Sequence, residues 1–136
     1  MNHKTYGRER CGLQIAVLAG ACVPVFAGGA GMIFGAGMLS DTVDISLDSH
    51  IRYLSGLLFA IGIGFWAIIP AIETKTYHAR LLTFLVVTGG FARLAGAVFV
   101  ATPSKPMIAA IGMELIVTPL LCLWQSRIAR YALKSN

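Results

Sequence analysis

Residues 11–40 contain no charged side chain. A helix needs roughly 20 residues to cross about 30 Å of hydrocarbon, so this one run exceeds what a single crossing demands. Its apolar core covers residues 13–39, and a tilt or a kink at Pro24 absorbs the excess length. Three further apolar runs follow at residues 53–72, 81–101 and 107–126. The third is interrupted only by Arg93 and the fourth only by Glu114. Lipid offers no hydrogen-bonding partner to a bare peptide group, so a chain with four such runs satisfies its backbone by crossing as helices. The expected fold is all-α: one domain of 136 residues, an antiparallel four-helix transmembrane bundle.

Composition excludes the alternatives. Apolar residues make up 57% of the chain and charged residues 12%, against about half and about a quarter in a soluble domain. The mean hydropathy is +0.75. A soluble globule, a disordered segment and a disulfide-built secreted scaffold are all ruled out. The net charge of +5 points to topology and anionic headgroups rather than to nucleic acid, because the basic residues flank the apolar runs.

Those basic residues also set an orientation. Lys4, Arg8 and Arg10, then Lys75 and Arg80, then Arg127, Arg130 and Lys134 place eight positive charges on one side. Arg52 and Lys105 are the two on the other. The positive-inside rule puts both termini in the cytoplasm. Lys4, Arg8 and Arg10 also look like the start of a signal peptide, and Ala19-Gly20-Ala21-Cys22 is faintly like a lipoprotein cleavage site. The apolar run is about twice the length of a signal core, so the first span is expected to stay.

Small residues recur every four positions at Ala27, Gly31 and Gly35, and again at Gly56, Ala60 and Gly64. That spacing lets membrane helices approach closely, either within one bundle or across a homodimer seam. Cys11, Cys22 and Cys122 have no CxxC spacing and suggest neither a disulfide nor a metal site. His3, His50 and His78 are scattered over both sides. Asp41, Asp44 and Asp48 could attract a cation but match no calcium loop; Asp48 or Ser49 is the expected N-cap of the second helix. Trp66 and Trp124, with Tyr6, Tyr53, Tyr77 and Tyr131, read as interfacial anchors. No nucleophile stands with a base in a known motif, so no catalytic residue and no cofactor is expected.

Arg93 and Glu114 are the most informative residues. A charged side chain at the centre of a membrane helix costs about 2.5–3.5 kcal/mol on the insertion scale, so each needs a partner. Arg93 lies eight residues before Ala101 and Glu114 seven after Met107. At about 1.5 Å per residue both are roughly 10–12 Å below the same short connection. The two therefore share a depth and can pair. Gly89, Gly90, Gly96 and Ala97 surround Arg93 at helical spacing and leave room for a guanidinium. Thr118 and Gln125 lie near the face of Glu114 and extend a polar seam, which must face the bundle interior. Arg52 either joins this seam or snorkels to phosphate. Two readings stand: a buried clasp that fixes register, and a polar site for a headgroup, a quinone carbonyl or a partner's polar group.

The run Ser49-His50-Ile51-Arg52-Tyr53-Leu54-Ser55-Gly56 is followed by Gly89-Gly90-Phe91-Ala92-Arg93-Leu94, Pro103-Ser104, Glu114-Leu115, Pro119 and Leu123-Trp124-Gln125. Together these motifs resemble the bacterial membrane family called domain of unknown function 4345, placed near the DoxX-like four-helix proteins. The resemblance covers roughly residues 45–126, with the first helix similar only in character. It implies a four-helix bundle in a bacterial inner membrane and brings no activity with it. The wider relatives include accessory membrane subunits of oxidoreductases, which is analogy at the level of the fold.

Three functions follow as expectations. The first is a non-enzymatic accessory or scaffolding subunit that docks through glycine-rich faces onto a larger membrane complex. The second is a binder of a small lipophile, a quinone or a lipid, in a cavity lined by Gly89, Gly90 and the Arg93–Glu114 pair. The third is a small proton-coupled exporter. It ranks last because the one membrane carboxylate is matched by an arginine.

Overall fold

The computed structural model describes residues 3–38, 44–100 and 102–135, with the side chains of His3, Lys4, Lys134 and Ser135 outside that description. The far ends of the first and third apolar runs, Leu39 and Ala101, and the cation reading of Asp41 also lie outside the described residues. What is described is helical: α1 (His3–Phe34), a 3₁₀ turn at Gly35–Met38, α2 (Ile45–Ile68), a 3₁₀ turn at Ile69–Ala71 and α3 (Thr76–Phe99). The last run comprises α4 (Lys105–Gly112), a π turn (Met113–Val117) and α5 (Thr118–Ser135). Four helical stretches among these residues are long and apolar enough to cross a membrane: Thr5–Met38, Ile45–Ala71, Thr76–Phe99 and Lys105–Leu133.

Each helical stretch begins before its apolar run. Hydropathy marks only the part that must sit in hydrocarbon, while intrahelical hydrogen bonding continues through the wetter flanks. α2 shows the point best. It begins at Ile45, and its N-cap is Asp44, whose carboxylate accepts the N–H of Leu47 at 2.9 Å. The sequence reading put the cap at Asp48 or Ser49. The helix starts a turn earlier because Asp44 already satisfies an orphan N–H of its first turn.

The chain forms two compact units, residues 15–69 and residues 1–14 with 70–136. In the first, the later part of α1 pairs with α2. Gly28 makes the closest approach to the backbone of α2: a Cβ there would lie 2.6 Å from the backbone nitrogen of Phe59 and 2.7 Å from the carbonyl of Ser55. Gly31 faces the Ser55 side chain, and a Cβ at Gly62 would lie 2.6 Å from Val25 Cγ2. Contacts that run backwards along α2 as they run forwards along α1 make the pair antiparallel. Within the small-residue stripe, Gly31 is buried but Ala27 and Ala60 are exposed. The close crossing runs through Gly28 and Gly62, and the buried line of α1 steps by four residues from Leu13 to Val25 and by three from Val25 to Gly31.

The end of this pair where α1 stops and α2 starts is closed by side chains. α1 ends at Phe34, and Gly35 follows at φ +57°, a left-handed conformation that suits glycine at a helix C-terminus. Arg52 Nη1 donates to the carbonyls of Met32 (2.7 Å) and Ile33 (2.8 Å), which the end of α1 leaves unpaired. Asp48 accepts the Ala36 N–H at 2.8 Å on one oxygen and Arg52 Nε at 2.7 Å on the other.

In the second unit the first turns of α1 meet the α2–α3 connection and α5. Arg10 donates from Nε and Nη2 to the two oxygens of Glu73 (2.9 and 3.2 Å) and from Nη2 to the Pro70 carbonyl (3.0 Å). Arg127 pairs with Glu9 at 3.2 Å. Tyr6 stacks on Tyr131 with centroids 5.5 Å apart. Leu13, Ile72 and Ile128 form the fully buried core of this end, and the ring of Trp124 packs beside Gly12. α3 and the last run are antiparallel, since Gly90 meets Leu115 while Thr76 meets Gln125.

Candidate functional site

The structure brings Arg93 and Glu114 together in two parallel hydrogen bonds. Nε donates to Oε2 and Nη2 to Oε1, each at 3.2 Å. This is the side-on fork that suits a planar guanidinium and a carboxylate. Gly90 makes the contact possible. A Cβ at that position would stand 2.9 Å from the Cβ of Glu114 and 2.8 Å from Leu115 Cδ2, so any larger residue would push the two helices apart at the depth of the pair.

The pair is not sealed. Arg93 keeps 38% of its side chain exposed, against 16% for Glu114. Gly89 and Gly96, four residues before and three after Arg93, have nothing within 4 Å of where a Cβ would be, and Gly112 on α4 is equally open. Of the two adjacent glycines expected to line one cavity, Gly90 is therefore filled by its neighbours. Gly89 lies on the outer, unoccupied side of the arginine.

The other residues expected at the seam are held elsewhere. Thr118 turns its hydroxyl onto the Met113 carbonyl at 2.9 Å, within its own helix. Gln125 lies eleven residues beyond Glu114, about 16 Å along the helix. It is 2% exposed, and its Nε2 donates to the Ile72 carbonyl at 2.7 Å and to Thr76 Oγ1 at 3.0 Å. It thus ties α5 to the start of α3. Arg52 is engaged within the α1–α2 pair, its Nε with Asp48 and its Nη1 with the carbonyls at the end of α1.

Two features of the site escaped the sequence reading. The π turn around Glu114 is one, and its signal is Pro119, which lacks the N–H that Leu115 would need in a regular helix. Such turns are frequent at functional sites. The other is Asp48 as the partner of Arg52, for which the signal is their four-residue spacing on one helix.

Outside the spans, Glu73 has a shifted carboxyl. Its partial burial pushes the pKa up, but the hydrogen bonds of Arg10, a backbone N–H and the charge of Arg10 together outweigh that and leave it below the usual glutamate value. What this arrangement can do chemically is bind: it presents a neutral ion pair with guanidinium N–H groups left over.

No curated protein and no solved structure matches the chain. A family model does match, over residues 12–125. The matched stretch begins in α1 and ends at Gln125, so it takes in the first helix, for which the motifs had shown only a likeness of character. It contains both the Gly35–Asp48–Arg52 closure and the Arg93–Glu114 pair. The chain belongs to the family described as domain of unknown function 4345.

Proposed function

We propose that this protein is a non-enzymatic accessory or scaffolding subunit of a larger complex in a bacterial inner membrane, a single four-helix bundle with both termini cytoplasmic. The observation that carries the reading is the exposure of Arg93. A guanidinium has five N–H donors, and Glu114 receives two bonds from it. The donors that remain face a zone where lipid tails accept no hydrogen bond. A clasp whose only task is to join two helices would bury both partners. Instead the arginine sits between two open glycines, on a line where another membrane helix can approach closely and offer a carbonyl, amide or carboxylate. A kinship with DoxX-like four-helix proteins, whose wider relatives include accessory subunits of oxidoreductases, would agree with this role by analogy.

Orientation has its own support. Arg10 pairs with Glu73 in the α2–α3 connection, Glu9 with Arg127 and Tyr6 with Tyr131 near the end of α5, so these segments share one end. That end carries the excess of Lys and Arg that the positive-inside rule assigns to the cytoplasm.

A second reading, a lipophile binder, is favoured by the π turn, a distortion often found where helices take ligands. In that case a quinone or lipid carbonyl takes the free donors of Arg93. Native mass spectrometry after gentle extraction from the natural membrane separates the two. A stoichiometric larger assembly, lost in Arg93→Gln and Gly96→Leu while the protein stays folded, supports the subunit. A lone protein that retains a defined lipophile, with occupancy reduced by Glu114→Gln, overturns it in favour of the second reading.

A further inference from the structure

The last apolar run is not a uniform helix. α4 gives way at Met113 to the π turn that carries Glu114, and α5 resumes at Thr118. Thr118 closes this turn twice. Its backbone N–H donates to the Met113 carbonyl, five residues back, and its hydroxyl donates to the same oxygen at 2.9 Å. Pro119 supplies the reason for a wider turn. It has no N–H to offer the Leu115 carbonyl four residues before it, and in a regular α-helix its ring would collide with that carbonyl. One extra residue in the turn moves the carbonyl clear.

The extra residue changes what faces α3. Gln125 is buried and bonded to Ile72 and Thr76, so the rotation of α5 against the start of α3 is set. In a uniform helix of 3.6 residues per turn, Glu114 would lie almost directly in line with Gln125, eleven residues on. A π turn rotates less per residue and takes Glu114 off that line. Where it arrives, both carboxylate oxygens meet the Arg93 guanidinium and the Leu115 side chain lies over Gly90.

We infer that Thr118 and Pro119 are positioning residues. Thr118 spends its hydroxyl and N–H on the Met113 carbonyl and Pro119 has no N–H; together they hold the π turn, and the π turn aims the Glu114 carboxylate at the arginine. Thr118 is therefore no extension of a polar seam; it acts through the Met113 carbonyl. This inference concerns the geometry of the pair and stands whether the pair serves an assembly or a lipophile.

The test is a double-mutant cycle of Arg93→Gln and Glu114→Gln, read as the non-additivity of their Tm shifts in detergent. It is run in three backgrounds: the natural chain, Thr118→Ser, and Thr118→Val with Pro119→Ala. Non-additivity should persist with serine, which keeps the hydroxyl, and vanish in the valine–alanine background. A role confined to general stability would lower every Tm and leave the non-additivity intact, and that result overturns the inference. If the valine–alanine chain does not fold, the side-chain ¹⁵Nε resonance of Arg93 is compared in Thr118→Val and Thr118→Ser. A shift toward a free guanidinium in the valine variant alone supports the assignment; an unmoved resonance in both refutes it.

Discussion

Among single residues, Glu73 shows how one side chain can set a dependence on pH. Burial raises the pKa of its carboxyl, but the hydrogen bonds and charge of Arg10 together with a backbone N–H hold it below the ordinary glutamate value of 4.5. A depressed folded-state pKa contributes stability that is fully present above the unfolded value and disappears as pH falls through the folded one. Acidification below about pH 4.5 should therefore lower the Tm of the natural chain more steeply than that of Arg10→Gln. Parallel acid profiles for the two proteins would show that the pair contributes nothing to folding. Arg93 and Glu114 were legible as partners because two lone charges at one depth leave each other few alternatives. Gln125 was not legible. An amide satisfies itself with a backbone carbonyl as readily as with a charged seam, and helical spacing alone does not say which it has found. Arg52 misled for a related reason: a cation near a helix end can take a phosphate, a seam or the end of its neighbour, and carbonyls leave no mark in a sequence.

The helices themselves were legible as apolar runs, while their ends and distortions were not. Hydropathy reports where water is absent, so it stopped short of Asp44 and the first turns of α1. The spacing of small residues showed that close approach was built in, but not which glycines made it. That distinction is measurable. Gly28→Ala puts a methyl against the backbone of α2 and should destabilise the α1–α2 pair by about 1–3 kcal/mol, as overpacking commonly does. Gly89→Ala meets open space and should be neutral or gain a few tenths to about 1 kcal/mol from helix propensity. Equal losses in the two variants, measured by thermal or denaturant unfolding in detergent, would contradict the packing described for α1 and α2. The π turn shows the opposite limit. Pro119 and Thr118 are plain in the sequence, yet a proline in a membrane helix can produce a kink, a wider turn or nothing, and only the neighbouring helices decide.

On the scale of the whole molecule, the four spans and the family were readable from sequence, and the orientation remains a prediction with a direct check. In a chain with Cys11, Cys22 and Cys122 replaced by serine, Ser49→Cys should react with an impermeant thiol reagent added to intact cells. Thr74→Cys should react only after the membrane is opened. The reverse pattern would place the termini outside. The closure of α1 on α2 has a consequence of its own. Asp48 and Arg52 grip Ala36 and the last carbonyls of α1, so side chains on either side of residues 39–43 set the register of this hairpin. Lengthening a connection costs free energy only logarithmically. The stretch between Leu39 and Val43 is thus the natural place to lengthen the chain, whether by evolution or by an inserted epitope, since the hairpin it joins is already fastened without it.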